Sequence, residues 1–264
     1  MRLKITHRTD YSYDAPVDYA LQRLRLIPYG GSTQTIRSWD LKIEGASEQV
    51  RFADQFANET LLVSVEDGSR TISVEAWGEV ETHDKAGVTG RHRGFAPVWL
   101  FHQETPLTAA GDGILELASG FAAGDLLARL HGLMEAISDR VAYVGGTTGV
   151  ATTAEEALAE KSGVCQDHAH IFIAAARALG IPARYVSGYL MLDSAEKQAA
   201  SHAWAEAHVT ALGWVGFDPA NCISPDERYV RLATGRDYRD AAPVAGIRLG
   251  NAQERLAVSV TVEQ

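Results

Sequence analysis

Gly163-Val164-Cys165-Gln166-Asp167-His168-Ala169-His170-Ile171-Phe172-Ile173-Ala174-Ala175-Ala176-Arg177-Ala178-Leu179-Gly180-Ile181-Pro182 is the stretch on which the reading of this chain turns. It is rich in helix formers and closes on Gly then Pro, a usual stop signal, so it predicts a buried helix opened by Cys165. A helix amino end gathers unpaired N–H groups and a partial positive charge, which favour thiolate over thiol. The same amides can receive the oxyanion of a tetrahedral intermediate. Taken alone, a cysteine at such a place is explained equally well by packing.

Downstream, Ser201-His202-Ala203-Trp204-Ala205-Glu206-Ala207-His208-Val209 alternates like a strand. Gly213-Trp214-Val215-Gly216-Phe217-Asp218-Pro219 reads as a second strand, joined by a tight turn around Gly213. Paired as a hairpin, the two can place His202 and Asp218 on one face, with Cβ atoms roughly 4.5–5.5 Å apart if directly opposed. An imidazole held by a carboxylate and facing a helix-capping thiol is the generalised nucleophile, base and orienter triad.

Upstream, the first eighty or so residues read as half-buried strands. Leu3, Ile5, Tyr11 and Tyr13 share a parity, as do Trp39, Leu41 and Ile43, then Leu61, Val63 and Val65, then Ile72, Val74 and Ala76. Turn formers separate them at Pro28-Tyr29-Gly30-Gly31, at Gly45 and at Asp67-Gly68, the last predicting a hairpin. From about Glu81 to Pro97 the pattern lapses, as in a linker or a crossing between domains. Leu126, Leu127, Leu130, Leu133, Met134 and Ile137 then predict a helix over 124–138 with an apolar core face. Thr153 followed three residues later by Glu156 announces another, by reciprocal capping.

With 264 residues, 46% of them apolar, the chain can bury one large core or two modest ones. Its formal charge of −10 argues against nucleic-acid or anionic-membrane partners and leaves neutral or basic ones. Neither a secretory leader nor a run of eighteen apolar residues is legible, which sets a cytoplasmic expectation. Two cysteines, Cys165 and Cys222, are too few for a disulfide scaffold.

Gly163-Val164-Cys165-Gln166-Asp167, Ser201-His202-Ala203-Trp204 and Gly216-Phe217-Asp218-Pro219 together resemble the three motifs of the transglutaminase-like superfamily. His7-Arg8-Thr9, Tyr11, Tyr13, Pro16-Val17 and Leu24-Arg25-Leu26 resemble the β-rich N-terminal module of its bacterial members, and Gly235 to Asp240 with Pro243 their C-terminal stretch. The resemblance implies an α+β chain. An N-terminal antiparallel β-sandwich over 1–85 would precede a papain-like transglutaminase core over 98–264, with helices packed on an antiparallel sheet. It implies Cys165 as nucleophile, His202 as general base and acid, and Asp218 as the carboxylate fixing the histidine's tautomer. Two positions depart from the family pattern: Ala57-Asn58 stands where Gly-Asn is usual, and His168 where an apolar aromatic is expected.

Tyr143 falls where that subfamily has an aromatic residue before the nucleophile helix. Together with Gln166 and Trp204 it is a candidate for lining the pocket or donating to the oxyanion. Asp167 in the first helical turn suits the helix dipole and would support rather than catalyse. His168 and His170 fit no structural zinc spacing and read as packing histidines, as does His208. Cys222 reads as a small buried hydrophobe.

A thiol triad implies attack on a peptide or amide carbonyl and an acyl-thioester resolved by water or by an amine. The expected function is a cysteine peptidase or amidase needing no cofactor or metal, acting on a peptide or protein. The calcium sites of animal transglutaminases are not expected, since no Asp-rich loop has that spacing. Glutamine transamidation is an alternative enzymatic reading, and a protein-binding module carrying a relic triad is a non-enzymatic one.

Overall fold

The structure is a computed structural model describing residues 1–17, 19–65, 68–192, 201–249 and 252–264. Six strands open the chain: β1 (Arg2–Tyr13), β2 (Tyr19–Ile27), β3 (Gln34–Glu44), β4 (Ala46–Ala53), β5 (Glu59–Val65) and β6 (Thr71–Thr82). Next come β7 (Val88–Gly90) and the helices α1 (Asp112–Ser119) and α2 (Leu126–Arg140). The short β8 (Ala142–Tyr143) and β9 (Ser162–Gly163) flank α3 (Ala154–Glu160), and α4 (Cys165–Ala178) follows. Strands β10 (Ala183–Leu190), β11 (His202–Val209), β12 (Gly213–Phe217) and β13 (Tyr229–Gly235) lead to α5 (Tyr238–Ala241). The chain closes with β14 (Val244–Leu249) and β15 (Glu254–Glu263).

The strand alternation read from the sequence becomes two four-stranded antiparallel sheets, ordered β15-β1-β6-β3 and β14-β2-β5-β4. Their inward residues, among them Leu3, Ile5, Val74 and Val80 from one sheet and Leu24, Leu61 and Val63 from the other, form one apolar cluster. Gly45 makes the β3–β4 corner at φ +76°, where a Cβ would lie 2.0 Å from the Thr71 carbonyl oxygen, so only glycine fits. In the expected hairpin at Asp67-Gly68, Asp67 lies outside the described residues, while Gly68 has the positive φ of +74° that such a turn needs.

Two boundaries differ from the expectation. Strands β14 and β15 pair with β2 and β1, so these two strands complete the N-terminal sheets although they fall within the span 98–264 assigned to the core. Between Glu81 and Pro97, β7 is not linker but an edge strand, hydrogen-bonded to β12. Both pairings join distant segments and leave no local pattern.

Elsewhere a five-stranded antiparallel sheet, ordered β13-β10-β11-β12-β7, carries α4 on one face. Ala203, Ala205 and Ala207 of β11 and Ala169, Ala174, Ala175 and Ala176 of α4 belong to the same core, and such small side chains let helix and sheet approach closely. Helices α1, α2 and α3 wrap the rest of α4, which is buried from Asp167 to Arg177. Thr153 and Glu156 cap α3 reciprocally, as the sequence predicts. The two units are bolted together by buried Asn58, whose amide donates to the Thr234 carbonyl at 2.7 Å and accepts from its N–H at 2.8 Å. No helix among the described residues is long and apolar enough to cross a membrane.

Candidate active site

Cys165 is the first residue of α4, following an extended Val164. Valine offers no capping oxygen, so Asp167 takes that role, its Oδ2 accepting the Val164 N–H at 2.7 Å. The same oxygen accepts the Thr148 hydroxyl at 2.6 Å, tying the loop before α3 to the first turn. Gly163 is needed beneath it, because a Cβ there would lie 2.7 Å from the Cβ of Asp167. Asp167 therefore ties down the first turn of α4, which Cys165 opens.

His202 opens β11, beside the amino end of α4. Its Nε2 lies 2.7 Å from Asp218 Oδ2, and the Cys165 side chain is near enough to raise the ring's proton affinity as well. Burial is the largest single influence and opposes a charged imidazole. The hydrogen bonds and charge interactions with Asp218 and Cys165 outweigh it, and His202 is pushed up to about 10.

Asp218 is fully buried. Its Oδ2 also accepts from Asn221 Nδ2 and from the Tyr229 hydroxyl, each at 2.7 Å. Its Oδ1 accepts the Ala220 and Asn221 N–H groups at 3.1 and 3.3 Å. Burial alone would raise this carboxyl, but His202 first, then Asn221 and Tyr229, hold it below the usual carboxylate range.

Asn221 and Tyr229 are absent from the sequence reading. Asp218-Pro219-Ala220-Asn221 carries a usable signal, since an Asp that accepts amides two and three residues ahead marks an Asx-type turn. Tyr229 has no comparable local sign. It meets the His202 ring edge-on at a centroid distance of 5.8 Å, while Trp204 stacks against that ring at 6.3 Å. Trp204 is only 1% exposed and backs the imidazole, while also lining a small cavity with Glu206, Tyr229 and Arg231.

Tyr143 is brought close to Cys165 by the parallel β8–β9 pairing, which aligns it with Gly163. The residue is 59% exposed, yet its hydroxyl lies near enough to Cys165 for the two groups to influence one another's ionisation. Partial burial first, then the charge of Cys165, pushes the phenol up to about 12. Gln166, the next residue of α4, is half-buried.

His168, His170 and His208 are engaged in packing contacts. His168 has Nδ1 and Nε2 each 2.9 Å from a main-chain carbonyl, those of Val164 and Val141, which explains why a polar ring serves where an apolar one is expected. Burial, then Arg177, lowers His170 to about 3, so its Nε2 is free to accept the Tyr238 N–H at 3.1 Å. His208 packs edge-on against Trp214 at 5.2 Å. Cys222 is half-buried rather than buried, and its φ of +55° is set by the turn that returns Ile223 to Asp218. Among the described residues no three His, Cys, Asp or Glu side chains converge as metal ligands would.

A buried carboxylate, an imidazole and a thiol are thus in sequence beside the free amides of a helix amino end, the arrangement that nucleophilic attack on a carbonyl requires.

Residues 116–219 match the model of the transglutaminase-like superfamily, and residues 3–81 that of the bacterial transglutaminase-like N-terminal region. An uncharacterised protein of Mycobacterium leprae is 28% identical over 280 residues, covering 99% of this chain and 98% of its own. Another, from Mycobacterium bovis, is 28% identical over 291 residues, covering 99% and 92%. The crystal structure of a provisionally assigned cysteine protease from Cytophaga hutchinsonii has a TM-score of 0.78 at 23% identity, over 100% of this chain and 91% of that one, a likeness of fold.

Proposed function

This chain belongs to the transglutaminase-like superfamily, and on that premise we propose that it is a thiol-dependent enzyme cleaving a peptide or amide bond through a Cys165 acyl-thioester, as a cysteine peptidase or amidase. One observation carries the reading: the His202 ring bonds the buried Asp218 through Nε2 at 2.7 Å and lies near enough to Cys165 for the thiol to raise its proton affinity. Aspartate held in that way fixes the tautomer and orientation of the base.

In the proposed reaction, sulfur attacks the substrate carbonyl carbon while His202 holds the thiol proton. The oxyanion forms beside the amide N–H of Cys165, with the Tyr143 hydroxyl nearby as a second donor. The imidazolium next gives its proton to the departing amine, and the C–N bond breaks to leave an acyl-thioester. Water, deprotonated by the same imidazole, then attacks the thioester, releasing the acid and restoring the thiol. We read the two-sheet unit as a β-sandwich that supports a papain-like core, with a peptide or protein as substrate.

The test is alkylation followed by trapping. Cys165 should react with iodoacetamide far faster than Cys222, and His202→Ala should abolish the difference. Incubation with a peptide library should then give products cleaved with water incorporation, all lost in Cys165→Ala. Labelled amine entering the products without net hydrolysis would make the enzyme a transamidase. Equal, slow labelling of both thiols would reduce the triad to a relic.

A further inference from the structure

The seam between the N-terminal sheets and the five-stranded sheet encloses a cavity of about 240 Å³. Arg91, Arg93, Arg184 and Arg231 all line it, and no carboxylate does. This concentration of positive charge stands in a chain whose formal charge is −10. It lies on the sheet face opposite α4 and makes no use of Cys165.

Two of these arginines are built into the core. Arg184 and Arg231 are 5% and 6% exposed and share one acidic partner, the fully buried Glu206. Glu206 accepts from Arg184 Nε at 2.7 Å and, through its other oxygen, from Arg231 Nη1. Two buried guanidinium groups on one carboxylate leave an unbalanced positive charge, which is costly unless something compensates it. Arg231 Nη2 donates to the Tyr29 hydroxyl at 3.0 Å, but its Nε is buried with no partner. A buried donor left unmade is uncommon and costs free energy. At the rim, Arg91 and Arg93 form no ion pair among the described residues, and Arg93 is held in place by the Gly30 carbonyl and the face of Tyr29.

We propose that this cavity binds a small multivalent oxyanion, of phosphate or carboxylate type, between the rim pair Arg91 and Arg93 and the buried Arg231. The planar guanidinium fork presents paired N–H donors that meet two oxygens of either anion at once. The volume is just below the range usual for drug-sized ligands, so the anion is inorganic or carried on a small organic group. Phe56 and Tyr29 supply the apolar wall that such a group would meet.

Calorimetric titration of the full chain at constant ionic strength, with inorganic phosphate, citrate or chloride, tests the site. Saturable binding of phosphate or citrate is expected, with none of chloride, and the stronger of the two identifies the anion type. The double variant Arg91→Gln/Arg93→Gln, which breaks no ion pair, should weaken binding at least about tenfold. The control Arg2→Gln/Arg37→Gln removes the same charge from distant surface pairs and should leave binding intact. Absence of saturable binding of either anion, or equal loss in both double variants, would overturn the proposal. The outcome is independent of whether Cys165 is catalytic.

Discussion

His202 and Asp218 share a 2.7 Å hydrogen bond although they do not stand opposite one another. The β11–β12 register pairs Ala205 with Phe217, so the next step puts Asp218 across from Trp204, with His202 two residues farther along the same face. Diagonal neighbours of this kind remain within reach of one another. Trp204 is thereby left beneath the ring it stacks upon.

Breaking that pair should disable the thiol without unfolding the protein. His202→Ala should slow the alkylation of Cys165 by about 10²- to 10⁴-fold, the usual range for a general base. Asp218→Asn should also slow it, by releasing the tautomer. Rates measured by mass spectrometry, with Cys222 as internal reference, check this. Wild-type rates in either variant would contradict the assignment.

The pH dependence of stability has a definite sign. The folded value for His202, about 10, exceeds its ordinary 6.5, so the native state keeps a proton that the unfolded chain releases. The stabilisation is complete below about pH 6.5 and is lost as pH rises toward about 10. Asp218 acts oppositely, its depressed value giving stability that disappears only as acid protonates it. In urea titrations at about pH 6 and pH 9.5, the gap between wild type and His202→Gln should narrow at the higher pH. A gap that widens would refute the linkage.

Gly163→Ala would place a methyl group 2.7 Å from Asp167 Cβ and equally close to the Oδ2 that caps α4. Overpacking of this kind costs about 1–3 kcal/mol. Because Asp167 must shift, Cys165 alkylation should slow as well. Ala159→Gly, on the neighbouring α3, should lose stability with no change in that rate, which separates the two effects.

Ala57 has a φ of +65°, the left-handed region, at the position where the family resemblance leads one to expect glycine. Ala57→Gly should therefore stabilise the chain by about 0.5–1 kcal/mol, seen as a higher urea midpoint. A loss of stability would mean that the methyl group's packing outweighs the backbone strain.

Glu206→Gln would leave Arg184 and Arg231 without their carboxylate inside the core. Breaking one side of a buried ion pair costs about 3–5 kcal/mol, measurable by urea unfolding. If saturating phosphate restored part of that loss, the arginine cavity would be supplying the missing anion.

Much of this protein was legible one residue at a time. Alternating apolar residues dictated β1, β3, β5 and β6, the Thr153–Glu156 cap dictated α3, and the Gly180–Pro182 stop bounded α4, because each signal acts within a turn or a strand. Cys165, His202 and Asp218 were legible for the same reason, each lying in a motif of its own. Contacts between distant segments left no such trace. Helix α1 begins at a glycine-rich end whose Gly111, Gly113 and Ile114 amides are capped by Glu155 of α3, at 3.1, 2.7 and 3.1 Å. Likewise β14 and β15 complete the first unit's sheets, Tyr229 reaches Asp218 from another strand, and the arginines meet only where the two units close. Local sequence determines backbone preference and side-chain alternation; which orphaned amide, strand edge or buried charge finds its partner is decided when the chain packs.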